Sequence, residues 1–377
     1  MSQKKLRYSF LFAGGGTGGH FFPAAAVAQQ IKKIEPESKI YFVGLKDKIE
    51  GTKSQKYGFE FYHLYIYGLS RNFAFKNLIK NLLLPFVFVY SFIKGLFLTM
   101  KLNPSVVIGS GGYSSFIPII CGRILGKKII LLEQNSYPGL STRLLEKYAD
   151  KVYINFEDAK EFLRFKEKIE IVGNPVRINF EIIDKSKALE KFNLNPKEKT
   201  VLVLGGSLGA QKINEIIKKN LLRFKAMNIQ LIWQTGKRYY ENYREFNSEK
   251  FKIFDFIDDM NSAYSAVDAV IARAGATTLA EIIYYEKPSI IIPSPNVAEN
   301  HQYYNGLFLE KNSAAIMVKE NEAEAEAEEK LISALHDILN NSTRRETLQK
   351  NLKKIKEKYS KAAEIIANKI IEYSQIK

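Results

Sequence analysis

The chain has 377 residues, of which 46% are hydrophobic and 25% are charged, and its formal net charge is +16. This length allows about two domains, and the composition excludes wholesale disorder. The single cysteine, Cys121, excludes a disulfide framework and a cysteine-built metal site, and four scattered histidines give no metal-binding pattern. The apolar run behind Lys4, Lys5 and Arg7 ends at Ala13, too early for a signal peptide, so we expect an intracellular protein.

Short β-rich runs, followed by glycine turns or polar loops and then by helical patterns, recur along the chain. The strand-containing segments are 6–12, 39–44, 105–115, 128–135, 151–155, 201–211, 229–236, 251–257, 269–281 and 288–293. Strands that alternate with helices at this spacing are typical of βαβ units and parallel sheets. Two sets, each opened by a strand, a glycine loop and a helix, predict an α/β protein with two doubly wound, Rossmann-like domains.

A Gly-Asn-Pro turn within 172–177 ends the first set of strands, and we place the domain boundary there. We expect an N-terminal domain over residues 1–172 and a C-terminal domain over 173–354. A charged amphipathic helix of about 355–377 is able to pack back on the first domain. The acidic repeat 322–329 is expected to be a solvated helix face without a function of its own.

Positive charge is concentrated in the first half of the chain. Residues 1–171 hold 25 Lys and Arg against 13 Asp and Glu, whereas residues 172–377 hold 31 against 27. This asymmetry suggests an anionic partner, although a basic surface without a partner fits it as well. No recognition helix or base-stacking motif accompanies the basic residues, so we expect no nucleic-acid partner.

The segment 82–100 is apolar apart from Lys94, and basic residues flank it. Its length allows a transmembrane helix, a core helix, or a helix whose apolar side enters the headgroup layer of a membrane. A single span would put the strands 6–12 and 105–108 on opposite sides of the bilayer, where they could not share a sheet. We therefore favour the peripheral arrangement.

The first glycine turn, 14–20, satisfies the spacing G-x-G-x-x-G between a strand and a helix. A dinucleotide site would also need an acid at the end of the second strand, which instead ends in Gly44. The glycines still allow close approach of the backbone, so we expect a polar group against this turn, from which Thr17 and His20 project. The alternative is tight packing of strand on helix, with His20 as a helix N-terminal residue.

The second glycine loop, 205–209, is the better phosphate cradle because it offers backbone N–H groups, a hydroxyl and a helix N-terminus without a nearby acid. Residues 275–278 open another helix, and Glu281 follows one turn later, where it could accept from both ribose hydroxyls. Alternatively, Glu281 is a carboxylate stabilised only by the helix dipole. Polar clusters at 133–135 and at 299–302 with Asn296 suit the hydroxyls of a sugar and point to a nucleotide-sugar.

These motifs resemble, in order, those of the MurG family of bacterial lipid-linked N-acetylglucosaminyltransferases in peptidoglycan synthesis. The matching segments are 14–24, 109–115, 132–135, 172–177, 205–211, 256–260, 273–281 and 299–302. The resemblance implies the GT-B fold, with two Rossmann-like domains facing across a cleft. It also implies transfer of N-acetylglucosamine from UDP-N-acetylglucosamine to the 4-hydroxyl of the muramyl sugar of lipid I, giving lipid II. A peripheral position on the cytoplasmic face of an anionic membrane follows as well, with no cofactor or metal.

Carried over residue by residue, the resemblance implies donor contacts from both halves of the chain. They are Thr17, Gly18, Gly19, Asn135, Arg177, Ser207, Ile257, Ala276, Thr277, Thr278, Leu279, Ala280, Glu281 and Gln302. In this assignment Glu281 holds the ribose, the Ile257 backbone the uracil, and Ser207 a phosphate. Asn135 and Gln302 hold sugar hydroxyls. Some relatives have other residues at Thr277 and at His301.

We assign the general base to His20, because a neutral imidazole suits proton removal near pH 7. Inverting displacement would leave charge on UDP, which helix N-termini and Arg177 would stabilise without a metal. A related transferase with another lipid acceptor, a nucleotide-sugar epimerase and a non-enzymatic lipid- or nucleic-acid-binding protein remain as alternatives.

Overall fold

A computed structural model describes residues 8–65, 75–175, 181–206, 208–320, 324–359 and 361–375. The chain divides into two compact units. The first unit contains the described residues of 1–178 together with those of 361–377, and the second contains the described residues of 179–360.

The first unit is a seven-stranded sheet with helices on both faces. Its strands are β1 (Ser9–Ala13), β2 (Lys39–Gly44), β3 (Glu60–His63), β4 (Val106–Gly109), β5 (Lys128–Glu133), β6 (Lys151–Ile154) and β7 (Ile169–Ile171). Its helices are α1 (Gly18–Ile34), α2 (Ile49–Lys53), α3 (Phe75–Leu102), α4 (Phe116–Ile124), α5 (Leu140–Leu145) and the C-terminal Ala362–Gln375. The strand order is β3-β2-β1-β4-β5-β6-β7 and every pairing is parallel.

The central strands of this sheet are apolar on both faces because helices cover both. All five residues of β1 are buried, as expected for a strand inside a parallel sheet. The C-terminal helix packs against α1 on one face, where Ile366 and Ile370 join the core around Phe10 and Phe12. The segment 355–359 belongs to the helix before it, in the second unit.

The second unit is a six-stranded parallel sheet. Its strands are β8 (Lys199–Leu204), β9 (Ile229–Gln234), β10 (Phe251–Phe254), β11 (Ala269–Ala272), β12 (Ser289–Ile291) and β13 (Ile316–Met317), in the order β10-β9-β8-β11-β12-β13. Its helices are α6 (Lys185–Lys191), α7 (Gln211–Lys219), α8 (Leu221–Ala226), α9 (Met260–Ala266), α10 (Ala276–Tyr285), α11 (His301–Lys311), α12 (Glu324–Asn340) and α13 (Ser342–Tyr359). The C-terminal helix of the first unit is α14. Trp233 is fully buried in the core of the second unit.

Both sheets reverse their strand order beside the first strand of the unit. In the first unit the reversal lies between β1 and β4, and in the second between β8 and β11. Ligands of open α/β sheets bind at the carboxyl ends of strands at such a point. The glycine turns 14–19 and 205–209 follow β1 and β8, so each unit has one of them at its expected ligand edge.

Helix α3 exposes large apolar residues that a core helix would bury. Ser91, Gly95 and Thr99 are buried, and Gly95 lies so close to α4 that an added Cβ would be 3.0 Å from Ile117. The exposed residues are instead large and apolar: Leu82, Leu83, Phe86, Phe88, Val89, Tyr90, Ile93, Phe97 and Met100. The stretch Leu82–Leu102 is long and apolar enough to cross a membrane, and 17% of it is buried in the protein. A core helix does not fit this exposure.

Candidate functional site

The first glycine turn joins β1 to α1 and exposes the N-terminus of α1. Gly14 and Gly16 have φ values of 151° and 81°, and the latter is readily adopted only by glycine. Thr17 occupies the N-cap, but its side chain makes no capping hydrogen bond. Gly18 and Gly19 are the first helical residues. The turn therefore leaves backbone N–H groups and the Thr17 hydroxyl at the ligand edge.

His20 lies in the first turn of α1, against the loop that follows β4. A Cβ added to Gly111 would be 2.7 Å from His20 Nδ1, so only a glycine backbone allows the ring this position. His20 Nδ1 is 3.1 Å from Gln134 Oε1, while Gln134 Nε2 donates to the Leu132 carbonyl at 3.1 Å. The Gln134 oxygen is thus an acceptor for Nδ1–H. In that neutral tautomer His20 Nε2 carries the lone pair that a general base requires.

Asn135 is fixed by the buried carboxylate of Glu133. Glu133 Oε1 accepts from the Asn135 backbone N at 2.9 Å and from Asn135 Nδ2 at 3.2 Å. The other oxygen, Oε2, accepts from the Gly139 N–H at 3.0 Å. The Glu133 carboxylate therefore fixes the loop after β5, in which Asn135 follows Gln134, the partner of His20.

The second glycine loop borders an open cavity of about 590 Å³, which lies entirely within the second unit. Gly205, Gly206 and Gly209 line it together with the start of α7, so backbone N–H groups and a helix N-terminus face the same space. Arg273 and Gln302 also line this cavity. This arrangement suits a phosphate group with a polar neighbour such as a sugar.

Defined contacts hold both Gln302 and Arg273. Gln302 Oε1 accepts from the Ser294 N–H at 2.9 Å, which leaves its NH₂ group to donate. Arg273 donates to the Ile292 carbonyl at 3.1 Å and forms an ion pair with Glu320. Arg273 was not among the residues assigned from sequence, although it begins the motif 273–281.

Gln234, the last residue of β9, connects two loops of the second unit. Its Oε1 accepts from the Ile257 N–H at 2.9 Å, and its Nε2 donates to the Gly206 carbonyl at 3.2 Å. Gln234 is 5% exposed. The segment expected to meet uracil and the loop expected to meet phosphate therefore share one buried amide, which the sequence analysis did not single out.

Helix α10 begins after Gly275 and carries the expected ribose ligand in its second turn. Glu281 is 8% exposed, and its Oε2 accepts from the Tyr264 hydroxyl at 3.0 Å. Burial, followed by the charge of Glu281, raises the pKa of Tyr264 well above its usual value, so this phenol remains a donor. The hydroxyl of Tyr264 thus fixes Glu281. Glu281 lies beyond the first helical turn, where the helix dipole has little effect.

The other expected residues of α10 differ in their exposure. Ala276, Leu279 and Ala280 are buried, whereas Thr277 and Thr278 are partly buried. The Thr277 hydroxyl makes no hydrogen bond within the described part of the chain. Neither these residues nor Ile257 line the cavity beside 205–209, whereas Gln302 does line it.

Two expected contacts, Arg177 and Ser207, lie outside the described residues. Among the residues that are described, no group of three or more His, Cys, Asp or Glu is arranged to hold a metal ion. Sequence reasoning also missed Glu50, whose carboxylate contacts the first glycine turn.

Comparisons with known proteins agree with this architecture. Residues 10–154 match the glycosyltransferase family 28 N-terminal domain, and residues 200–366 match the corresponding C-terminal domain. A crystal structure of MurG from Acinetobacter baumannii has a TM-score of 0.75 and 24% identity, and the alignment covers 97% of this chain and 99% of that one. The chain is therefore a two-domain glycosyltransferase of the GT-B fold, as predicted.

Two curated relatives narrow the family further. A protein of Flavobacterium psychrophilum is 40% identical over 93% of this chain and 94% of its own. One of Cytophaga hutchinsonii is 38% identical over 97% and 96%. Both are named UDP-N-acetylglucosamine–N-acetylmuramyl-(pentapeptide) pyrophosphoryl-undecaprenol N-acetylglucosamine transferase. This chain belongs to that family, the MurG family, which confirms the resemblance inferred from its motifs.

Proposed function

We propose that this protein transfers N-acetylglucosamine from UDP-N-acetylglucosamine to the 4-hydroxyl of the muramyl sugar of lipid I, giving lipid II. Family membership over nearly the whole chain supports the reaction class and both substrates. The observation that carries the proposal is the pair of ligand edges. One has a histidine poised as a base, and the other has a glycine loop and helix N-terminus beside a cavity.

Most of the expected donor contacts belong to the second unit. Backbone N–H groups of 205–209 and the N-terminus of α7 would hold the diphosphate, with Ser207 and Arg177 as further expected contacts. Glu281 would accept from the ribose hydroxyls, and the Ile257 backbone would meet uracil. Gln302 would donate to a sugar hydroxyl through the NH₂ group that Ser294 does not engage.

The chemical step proceeds by inversion at the anomeric carbon. His20 Nε2 takes the proton of the acceptor 4-hydroxyl while that oxygen forms a bond to C1 of N-acetylglucosamine. The bond from C1 to the diphosphate oxygen breaks, and UDP leaves with the electron pair. Gln134 keeps His20 in the tautomer that can accept the proton, and Asn135 would orient a sugar hydroxyl. The sequence has no Asp-x-Asp motif, so helix N-termini and cationic side chains would balance the charge on UDP in place of a metal.

The acceptor test uses UDP-N-acetylglucosamine with a lipid I analogue, with diacylglycerol, or with no acceptor. We expect the analogue alone to gain one N-acetylhexosamine by mass spectrometry, with or without EDTA. A glycosylated diacylglycerol would identify another lipid glycosyltransferase. An isomerised sugar nucleotide without acceptor would identify an epimerase.

Peripheral attachment to an anionic membrane is part of this proposal, because the acceptor is a lipid. The exposed apolar residues of α3 and the nearby Lys101 support it. Helix α3 connects β3 to β4, which belong to the same sheet, so a single crossing of the bilayer by α3 is incompatible with the fold.

Vesicle sedimentation tests the attachment. Phe86→Asp with Phe97→Asp should release the protein from vesicles containing phosphatidylglycerol, and high salt should weaken binding of the unaltered protein. Leu222→Asp in the second unit is the matched control, because Leu222 is 82% exposed and lies on α8. Equal binding of all three proteins at every salt concentration would contradict the attachment.

A further inference from the structure

The first glycine turn has a partner within the protein, the carboxylate of Glu50. Glu50 lies in α2, after β2, and is fully buried. Its Oε2 accepts from the Gly16 N–H at 2.8 Å, and its Oε1 accepts from the Leu45 N–H at 3.1 Å. Both carboxylate oxygens are thus engaged by backbone donors from the loops after β1 and β2.

The glycines around this carboxylate make room for it. A Cβ on Gly15 would lie 2.2 Å from the carboxyl carbon of Glu50, and a Cβ on Gly44 would lie 2.5 Å from its Cγ. Neither distance is compatible with a side chain. Gly15 and Gly44 are therefore required by Glu50 itself, which accounts for a glycine at the end of β2 where a dinucleotide fold carries its ribose-binding acid.

The carboxylate takes a role that a bound phosphate plays in dinucleotide folds, where it accepts from the N–H groups of such a turn. Here the acceptor is built into the chain. Burial and, second, the charge of Glu50 raise the pKa of Tyr113, whose hydroxyl would be 3.7 Å from a Cβ on Gly16. Tyr113 therefore stays protonated beside the same turn.

We propose that Glu50 is a positioning residue for the transfer reaction: its buried carboxylate fixes the turn that presents Thr17 and His20. The inference rests on the proposed function for the step that it supports, but the contact itself does not. Turn 14–17 leads directly into α1, and His20 is the third residue of that helix. A displaced turn would move the His20 ring away from Gly111 and from its partner Gln134.

The principal variant is Glu50→Gln, with Glu146→Gln as its matched control. Glu146 is also a buried carboxylate of the first unit, 2% exposed, and its Oε2 accepts from the N–H groups of Arg164 and Phe165 at 2.9 and 3.3 Å. In Glu50→Gln the new NH₂ group must face the N–H of either Gly16 or Leu45, whereas in Glu146→Gln the amide oxygen can replace Oε2 and keep both of its N–H donors. Both substitutions remove a buried carboxylate, but only Glu50 contacts the turn.

Two readouts separate the positioning role from a structural one. In Glu50→Gln we expect kcat to fall roughly 10- to 100-fold, because a misplaced base loses its alignment. KM for UDP-N-acetylglucosamine should change less than about twofold, since most of the expected donor contacts belong to the second unit. Hydrogen exchange followed by mass spectrometry should accelerate in peptides covering 14–20. Glu146→Gln should show neither change.

The exchange measurement does not depend on any activity, so it distinguishes the two proposals. If the unaltered protein transfers no sugar but exchange at 14–20 is faster in Glu50→Gln, the proposed function is refuted. The contact between Glu50 and the turn is then still supported. Unchanged exchange at 14–20 overturns the inference, as does faster exchange with unaltered kcat in an active enzyme. If Glu50→Gln does not fold, Gly44→Ala displaces the same carboxylate from the other side, and the same outcomes apply.

Discussion

Replacing Gln234 with leucine should weaken donor binding, because leucine cannot connect the loop of Ile257 to the loop of Gly206. Leucine has a similar size but no polar atoms, so the Ile257 N–H and the Gly206 carbonyl lose their shared partner. The Gly206 carbonyl keeps the Gly209 N–H at 3.1 Å, so the cost of about 1–3 kcal/mol falls on the buried Ile257 N–H, which loses its acceptor. If about 1.4 kcal/mol of this cost appears as disorder in the donor site, KM for UDP-N-acetylglucosamine rises about tenfold.

The same strand supplies the control. Gln230 lies at the other end of β9 and is 2% exposed. Its Oε1 accepts from the Asn195 N–H at 2.7 Å, and its Nε2 donates to the Asn195 carbonyl at 2.8 Å. Its Nε2 also donates to the Thr200 hydroxyl at 3.3 Å. Gln230→Leu therefore removes a similar set of hydrogen bonds from a buried glutamine at the amino end of β9, away from the glycine loop.

Steady-state UDP release and thermal melting of both variants provide the assay. We expect similar losses of melting temperature, but a higher donor KM only in Gln234→Leu, with acceptor KM unchanged in both. Equal donor KM values for the two variants would refute the reasoning, because the contacts of Gln234 would then be purely structural.

Two further substitutions test the site, and a third tests the pH dependence of stability. His20→Ala should lower kcat by roughly 10²–10⁴ if His20 is the base; loss of donor affinity with little change in kcat would make it a binding residue. Tyr264→Phe removes the hydroxyl that donates to Glu281. Because a hydrogen bond to a charged group is lost, the Kd for UDP, measured by calorimetry, should rise about tenfold. An unchanged Kd would contradict the role of Glu281. The pKa of Lys287 is lowered from 10.5 to about 8, chiefly by burial. Between pH 8 and 10 the unfolded chain therefore binds more protons than the folded protein, so stability increases as the pH rises. Over that range the melting temperature of the unaltered protein should rise relative to that of Lys287→Met. A constant difference between the two melting temperatures would contradict the lowered pKa.

The sequence predicts the central strands well because a parallel sheet covered on both faces needs continuous apolar runs. Strand β2 coincides with the predicted run 39–44. The edge strands β3, β7 and β13 were missed. They are two to four residues long and contain no buried residue. A hydrophobic pattern alone therefore does not identify them.

Exposure of α3 is a second property that composition does not determine. An apolar helix of this length is compatible with a core, a span or a surface position. The decisive fact is that Ser91, Gly95 and Thr99 pack inward while Phe86 and Phe97 are exposed. Small residues allow α3 to approach α4 closely. Predicting this side of α3 as the buried one would require knowing that α4 is its neighbour.

Site residues divide in the same way. Glycine turns and their polar neighbours were predicted from local spacing, since a positive φ or a close approach limits the residue types allowed. Glu50, Gln134, Gln234 and Tyr264 were not assigned roles, because their partners lie on other strands and helices. Their functions depend on strand register, such as Gln234 opposite Phe254 and Leu204.

The most direct measurement of the proposed chemistry is the initial rate of UDP release from UDP-N-acetylglucosamine, with and without a lipid I analogue. We predict rapid release only when the analogue is present, formation of one disaccharide lipid per UDP released, and loss of both in His20→Ala. Release at the same rate without the analogue, or a rate unaffected by His20→Ala, would contradict transfer by base-assisted attack of the acceptor hydroxyl.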